Sequence, residues 1–210
     1  MQPGAYPGNL QLGVWQPVLV RLSLNMPPEE RQLVLDAGAV TRTLHRMAQD
    51  MVRQTPDPRL LVLIGVQRRG VELAARLAAE VAALGHVDVP RGSLDITLYR
   101  DDLEVVGPRP LIGPTVLPVA LDGRHAWIVD DVLFSGRTVR AALDQLADFG
   151  RPARIGLAVL VDRGGRELPI QADVVGEKVT TGAGDRVDVF IKELDGRDAV
   201  EVVRSAQGKP

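Results

Sequence analysis

A repeated order of elements constrains the fold of this 210-residue chain more than any other feature. A continuous run of branched apolar residues at 59–66 is followed by a glycine-flanked loop and an Ala/Leu-rich helical segment at 71–84. The same order recurs with an apolar strand at 125–131 and a helical segment at 137–149, and a third apolar run occupies 154–162. Such runs are typical of strands buried on both faces of a parallel sheet. The sequence therefore predicts an α/β fold in which helices flank a twisted parallel sheet.

Other segments predict one further helix and several shorter strands. Asp36 is a suitable N-cap for a helix whose apolar residues recur at helical spacing from Val40 onward. Three stretches rich in branched residues, at 94–99, 187–194 and 199–203, are predicted as strands, the last two at an edge or in a hairpin. The long proline- and glycine-bearing segment after the first of these has the character of a binding loop or lid.

Composition excludes several classes of protein. The chain has no cysteine, which rules out disulfides, zinc ribbons, iron–sulfur clusters and cysteine nucleophiles, and its three histidines lack any metal-binding spacing. A formal net charge of −2 argues against a generic nucleic-acid binder but leaves room for a local basic patch. No membrane-spanning run or export signal is visible, so a cytoplasmic location is expected. Proline and glycine punctuate residues 1–30, which predicts a poorly ordered extension ahead of a single domain over 31–210.

The chemically informative block is AWIVDDVLFSGRT at 126–138. It sets two adjacent carboxylates, Asp130 and Asp131, at the carboxyl end of a buried strand, where open α/β sheets bind ligands. The loop that follows contains Gly136 and leads into a helix, so it offers backbone N–H groups, hydroxyls and a favourable helix dipole to an anion. The block predicts a phosphate site, with carboxylates suited to a vicinal pair of ribose hydroxyls and with Mg²⁺ nearby.

The acidic pair also has a simpler interpretation. Taken alone, two aspartates at a strand end are more often a turn followed by a helix N-cap. The complete block favours the phosphate site, and competing motifs fail. Gly65 and Gly70 have the Walker spacing, but Val71 replaces the required lysine, and no GxGxxG occurs. Ser135 has neither a GxSxG context nor a histidine partner that would make it a nucleophile.

Three segments together carry a resemblance to a known family. Residues 126–138 resemble the 5-phosphoribosyl-1-pyrophosphate (PRPP) signature of the type I phosphoribosyltransferases. DITLYRDD at 95–102, VDDVLFSGRTVRAALD at 129–144 and LAVLVDRGGRELPIQAD at 157–173 then look like the bifunctional pyrimidine-operon attenuator/uracil phosphoribosyltransferase family, with similarity over 33–205. The resemblance implies a type I phosphoribosyltransferase fold with a mobile lid and a small hood. It also implies the reaction of uracil with PRPP to give UMP and pyrophosphate, with Mg²⁺ held mainly by the substrate near the acidic pair.

The same resemblance assigns roles to residues. Asp130 and Asp131 match the acidic pair that holds the ribose 2′- and 3′-hydroxyls, and the loop at 133–138 matches the one that surrounds the 5′-phosphate. Asp130, Asp131 and Arg69 are the expected catalytic residues. The whole PRPP-binding block comprises Ala126, Trp127, Ile128, Val129, Asp130, Asp131, Val132, Leu133, Phe134, Ser135, Gly136, Arg137 and Thr138. The pyrophosphate loop comprises Gln67, Arg68, Arg69 and Gly70, with a non-proline cis peptide expected near Gln67–Arg68.

A lid and a base site complete the expected active site. The lid charges are Arg100, Asp101, Asp102 and Arg109. They would reach the diphosphate and its metal upon closure, although a solvated hairpin explains them equally well. Val161, Asp162 and Arg163 end the third strand beside the expected base site, where main-chain groups read the pyrimidine and Arg163 turns toward pyrophosphate. No residue stands out as a general base.

The resemblance also implies binding of pyrimidine-operon leader RNA when UMP is present. The expected RNA face consists of Arg42, Arg46, Arg53, Arg166 and Lys178. Gly165 stands where the family commonly has histidine, and Gln171 where a basic residue is usual, so RNA control is predicted to be weakened or altered. A plain solvated helix face is the simpler interpretation of these arginines. Two other functions stay open, namely an RNA-binding regulator with vestigial catalysis and a type I transferase for orotate or a purine. A homo-oligomer is expected by analogy.

Overall fold

A computed structural model describes residues 30–85, 88–96, 115–117 and 119–205 of the chain. The described part contains eight strands and four α-helices. The strands are β1 (Glu30–Leu35), β2 (Leu61–Val66), β3 (Arg91–Leu94), β4 (His125–Leu133), β5 (Arg154–Asp162), β6 (Val174–Lys178), β7 (Arg186–Phe190) and β8 (Ala199–Arg204). The helices are α1 (Ala37–Gln54), α2 (Arg69–Ala83), α3 (Arg137–Ala147) and the short α4 (Lys192–Asp195). None of the helices among these residues is long and apolar enough to cross a membrane.

Five parallel strands form the central sheet in the order β3-β2-β4-β5-β6. Successive residues of the inner strands point to opposite faces, as the pleat of a strand requires. Leu61 and Leu63 of β2 therefore pack with helices α1 and α2, while Val62 and Ile64 pack with α3 on the other face. The predicted parallel sheet flanked by helices is confirmed.

A second, three-stranded antiparallel sheet in the order β1-β8-β7 forms the hood. Its apolar residues, among them Leu35, Val189 and Val200, belong to the same core as α1 and α2. Three ion pairs add a polar connection between the hood and α2. Arg69 Nη2 lies 3.0 Å from a carboxylate oxygen of Asp195, and the Arg76 guanidinium pairs with carboxylates beside α4. The hood is thus attached to the helix that begins at the pyrophosphate loop.

Several predicted boundaries were wrong. The strand expected at 94–99 lies earlier, at Arg91–Leu94, and 97–99 fall outside the described residues. Helix α2 starts two residues earlier than predicted. The stretch at 187–194 was predicted as a single strand, but the strand ends at Phe190 and α4 follows, because the chain turns at the hood edge. Strands β1 and β6 were not predicted. β1 is mostly exposed and β6 has only five residues, so neither contains the long apolar run that is typical of a buried strand.

Candidate active site

Three loops meet at the carboxyl edge of the central sheet. Strand β3 lies on one side of β2, and β4, the next strand along the chain, lies on the other side. The direction in which strands are added therefore reverses between β2 and β4. Open α/β sheets bind ligands at such a switch point. The pyrophosphate loop (residues 67–70) follows β2, the phosphate loop (133–138) ends β4, and the base-side loop (163–173) follows β5. Sequence positions almost a hundred residues apart are thereby brought to one cleft.

The phosphate loop borders a cavity of about 240 Å³ that is lined by residues Val132–Val139. Gly136 has a φ of +92°, a conformation that favours glycine, and it occupies the N-cap position of α3 without any side-chain cap. Among the N–H groups of the first helical turn, that of Arg137 has a long hydrogen bond of 3.4 Å to the Ser135 hydroxyl, and Arg137, Thr138 and Val139 of this turn line the cavity. A cavity beside N–H groups at the positive end of a helix dipole suits a phosphate.

The acidic pair lies at the carboxyl end of β4, as predicted, and the strand continues for two residues beyond Asp131. Asp130 is 6% exposed, and its Oδ1 accepts a hydrogen bond of 2.9 Å from the N–H of Asp131. Asp131 is more exposed, and its Oδ1 accepts a bond of 2.9 Å from the N–H of Val132. The backbone N–H of the next residue orients each carboxylate. The other oxygen of Asp131, Oδ2, has no protein partner among the described residues.

The first part of the predicted PRPP block supports the site without contacting the cleft. Residues 126–129 are buried within β4, and their side chains alternate between the two core layers. Only the part of the block from Val132 onward lines the cavity. The apolar character of residues 126–129 stabilises β4 between its neighbouring strands, because a polar residue there would be buried without a partner.

The pyrophosphate loop contains the expected cis peptide, between Gln67 and Arg68. Gln67 and Arg68 also line a second cavity of about 250 Å³, together with Ser93 and Leu194. Arg69 is the first residue of α2, and its Nη2 donates to both carboxylate oxygens of Asp195, at 3.0 and 3.3 Å. Its Nε is buried and has no hydrogen-bond partner among the described residues. The side chain of Arg69 is therefore directed toward the hood.

The three residues predicted for the base site differ in their surroundings. Val161 is fully buried in β5, so only its main chain is near the cleft. Arg163 Nη2 donates to the carbonyl oxygen of Asp185 at 2.6 Å, and its guanidinium lies 4.1 Å from the centre of the Phe134 ring. Burial lowers the pKa of Arg163. The side chain of Arg163 is thus held between the hood and the phosphate loop, rather than extended toward the pyrophosphate loop.

Arg166 holds the phosphate loop through hydrogen bonds to its backbone. Its guanidinium donates to the carboxylate of Asp162 at 2.6 Å, to the carbonyl of Phe134 at 2.9 Å and to that of Ile170 at 3.0 Å, with longer bonds to the carbonyls of Leu133 and Gly164. Burial raises the pKa of Asp162, but the hydrogen bonds from Arg166 and from a backbone N–H outweigh it and leave that pKa below its ordinary value. Sequence analysis missed this role.

The predicted RNA face divides into three arginines on α1 and two cations near Asp162, because Arg166 pairs with Asp162 and Lys178 is the β6 register partner of that residue. Arg42, Arg46 and Arg53 lie on the exposed side of α1, and Lys178 lies at the exposed end of β6, which packs beside α1. Arg46 donates to carbonyls of β6, and both Arg46 and Arg53 pair with Asp50. The lid residues Arg100, Asp101, Asp102 and Arg109 lie outside the described residues.

Comparisons with known proteins agree with this geometry. The model of the phosphoribosyl transferase domain matches residues 32–191. The Bifunctional protein PyrR of Chloroflexus aurantiacus is 51% identical over 173 residues, which cover 82% of this chain and 95% of that protein. This chain belongs to the bifunctional PyrR family of phosphoribosyltransferases. The Bifunctional protein PyrR of Deinococcus deserti is also 51% identical, over 80% of this chain and 92% of that protein. The family predicted from the sequence is confirmed.

Solved structures of low sequence identity show the same fold. A hypoxanthine phosphoribosyltransferase from Trypanosoma cruzi aligns with a TM-score of 0.62 at 20% identity, over 84% of this chain and 96% of that one. A hypoxanthine-guanine phosphoribosyltransferase from Bacillus anthracis aligns with a TM-score of 0.58 at 19% identity, over 76% and 85% of the two chains. The type I phosphoribosyltransferase fold predicted from the sequence is confirmed.

Proposed function

We propose that the protein transfers the phosphoribosyl group of PRPP to uracil, giving UMP and pyrophosphate, and that UMP promotes its binding to leader RNA of a pyrimidine operon. The proposal is supported chiefly by the acidic pair, Asp130 and Asp131, in the strand that leads to a glycine-started helix N-terminus with a phosphate-sized cavity. Membership of the bifunctional PyrR family supports both activities.

The proposed reaction replaces one bond at the anomeric carbon of the ribose. The uracil N1 forms the new bond, the bond to pyrophosphate breaks, and the N1 proton is lost, so that uracil and PRPP give UMP and pyrophosphate. Asp130 and Asp131 would accept hydrogen bonds from the ribose hydroxyls, and the phosphate loop would hold the 5′-phosphate. The ribose carbon develops positive charge in the transition state, which neighbouring carboxylates stabilise electrostatically.

A magnesium ion fits the residues present if the substrate supplies most of its ligands. The described residues contain no group of three or more histidine, cysteine or acidic side chains that could hold a metal. Mg²⁺ is commonly bound by one or two carboxylates together with substrate phosphates, and Asp130 and Asp131 supply two. When bound, the ion would neutralise charge on the diphosphate leaving group.

The RNA-binding part of the proposal rests on the exposed basic side of α1. Arg42, Arg53 and Lys178 are exposed there, whereas Arg46 is occupied by carbonyls of β6. These four cations, two of which pair with Asp50, give a small positive patch on a chain of net charge −2, which predicts weak and salt-sensitive binding. A homo-oligomer and a cytoplasmic location remain predictions of the resemblance.

A panel of bases tests the proposed substrate. Purified protein with PRPP and Mg²⁺ should release pyrophosphate with uracil at least about 100-fold faster than with orotate, hypoxanthine or guanine, because buried polar groups left unpaired by a wrong base cost several kcal/mol. A gel-shift assay with leader RNA should show a shift that strengthens with UMP. Faster turnover with orotate or a purine would contradict the uracil assignment, and no turnover beside a UMP-enhanced shift would favour a regulator with vestigial catalysis.

A further inference from the structure

The side chain of Phe134 connects two loops that belong to different halves of the candidate nucleotide site. Phe134 follows the last residue of β4 in the phosphate loop, and it is 45% exposed, unusually high for a large aromatic side chain. The Arg163 guanidinium lies 4.1 Å from its ring centre, within the range of a cation–π contact. Gly165 contacts the ring from the same base-side loop. Arg163, Phe134 and Gly165 are called the loop stack below.

The Arg163 end of the loop stack is fixed by the hood. Its Nη2 donates to the carbonyl oxygen of Asp185 at 2.6 Å, at the start of β7. The Asp185 carboxylate accepts bonds from the N–H of Ser205, from Arg204 and from the N–H of Gly182, which lower its pKa to about 2. Because these bonds hold the Asp185 side chain, the backbone carbonyl of the same residue also has a fixed position. The guanidinium therefore has a defined position from which to contact the Phe134 ring.

We propose that Phe134 is a positioning residue whose loop stack sets the spacing between the phosphate loop and the base-side loop. A nucleotide that binds here places its phosphate at one loop and its base at the other, so that spacing determines whether both ends fit at once. The inference rests on the proposed function, because it requires a pyrimidine nucleotide to occupy the site. Phe134 acts through the backbone of its own loop and need not touch the ligand.

Two neighbouring glycines provide a matched test of this role. Gly164 and Gly165 have nearly equal φ angles of +70° and +73°, so alanine is strained to a similar degree at either position. A Cβ on Gly164 would meet nothing within 4 Å. A Cβ on Gly165 would lie 2.9 Å from Cδ2 of Phe134 and closer still to Cε2. Only the second substitution forces the ring out of the loop stack.

The experiment compares Gly165→Ala with Gly164→Ala by calorimetric titration with UMP and with ribose 5-phosphate, which lacks the base. We expect Gly165→Ala to weaken UMP binding at least about 10-fold while changing ribose 5-phosphate binding less than about threefold. Gly164→Ala should change both by less than about threefold. Circular dichroism should show melting temperatures within a few degrees of each other for the two variants, because the backbone strain is shared and the Phe134 ring that Gly165→Ala displaces is already half-exposed.

A second substitution separates displacement of the ring from other damage. Phe134→Leu removes the ring edge that the new methyl group would meet, and because it also removes the ring that Arg163 contacts, it should by itself weaken UMP binding about fivefold. Adding Gly165→Ala to that variant should then cost less than about twofold more, a clear departure from additivity. Additive losses, equal losses of UMP and ribose 5-phosphate, or UMP binding by Gly165→Ala as tight as that of Gly164→Ala would each overturn the proposal. A wild-type protein that binds ribose 5-phosphate but not UMP would instead overturn the proposed function, and this inference with it.

Discussion

Asp131→Asn is expected to lower kcat/KM for the reaction of uracil with PRPP by about 100- to 1,000-fold. One oxygen of the Asp131 carboxylate is held by the N–H of Val132, and the other has no partner among the described residues. An amide of the same shape keeps the first bond but loses the charge that stabilises a cationic ribose and strengthens hydrogen bonds to its hydroxyls. The loss should appear chiefly in kcat, because the charge on the sugar develops in the transition state.

A matched control shows whether that loss belongs to the site. Asp144→Asn makes the same chemical change on α3, where Asp144 faces solvent and pairs loosely with Arg140 at 3.8 Å. Its kcat/KM should stay within about twofold of the wild type, since exposed ion pairs contribute little. Both variants should melt within a few degrees of the wild type. Activity of Asp131→Asn within tenfold of that of Asp144→Asn would show that Asp131 does not hold the sugar.

Arg166→Ala is expected to lower the free energy of unfolding at pH 7 by about 2–4 kcal/mol and to abolish measurable UMP binding. The Arg166 side chain is 23% exposed and that of Asp162 is 15% exposed, so the pair is shielded from most solvent. Removing the guanidinium leaves the Asp162 carboxylate and the carbonyls of Leu133 and Phe134 without that donor. Both carbonyls belong to the phosphate loop, so the shape of that loop should be lost together with the stability.

The stability difference between wild type and Arg166→Ala should depend on pH in a defined direction. The Asp162 pKa lies below its ordinary value in the folded protein because Arg166 favours the ionised form over the opposing effect of burial. The stabilisation is therefore complete above the ordinary aspartate pKa of about 4 and is lost as pH falls below it. Urea denaturation should show a smaller difference between the two proteins at pH 3 than at pH 7.

Two further variants identify the interaction that matters. Arg166→Lys keeps the charge but cannot span the carboxylate and the carbonyls at once, so it should recover less than half of the lost stability. Arg140→Ala removes an exposed arginine from α3 and should cost less than about 1 kcal/mol. A stability of Arg166→Ala equal to that of Arg140→Ala would contradict the loop-organising role, and weakened RNA binding with normal UMP binding would return Arg166 to the RNA face.

Sequence patterns predicted the parts of the fold that depend on local periodicity. Strands β2, β4 and β5 are inner strands of the central sheet, and their continuous apolar runs mark burial on both faces. Hood strand β1 is mostly exposed and has no such run, so nothing local distinguishes it from a loop. The structure shows its register with β8, about 170 residues later in the chain, a pairing that no window of sequence contains.

The same limit applies to the candidate site. The acidic pair and Gly136 could be predicted because their residue types and spacing are local to one strand, loop and helix. Arg166 was assigned to an RNA face because its charge is visible in the sequence, whereas the carbonyls that it binds come from a loop about thirty residues earlier. The turn of Arg69 toward Asp195 likewise depends on how the hood docks against α2.

Residues 133–138 are proposed to hold a phosphate while Asp130 and Asp131 hold the sugar attached to it. A crystal structure of the protein grown with UMP would show both contacts in one measurement. We expect phosphate oxygens within about 3 Å of N–H groups in the loop around Gly136, with the ribose hydroxyls bonded to the acidic pair. Ordered UMP elsewhere on the protein, or bound with its ribose hydroxyls turned away from Asp131, would contradict it.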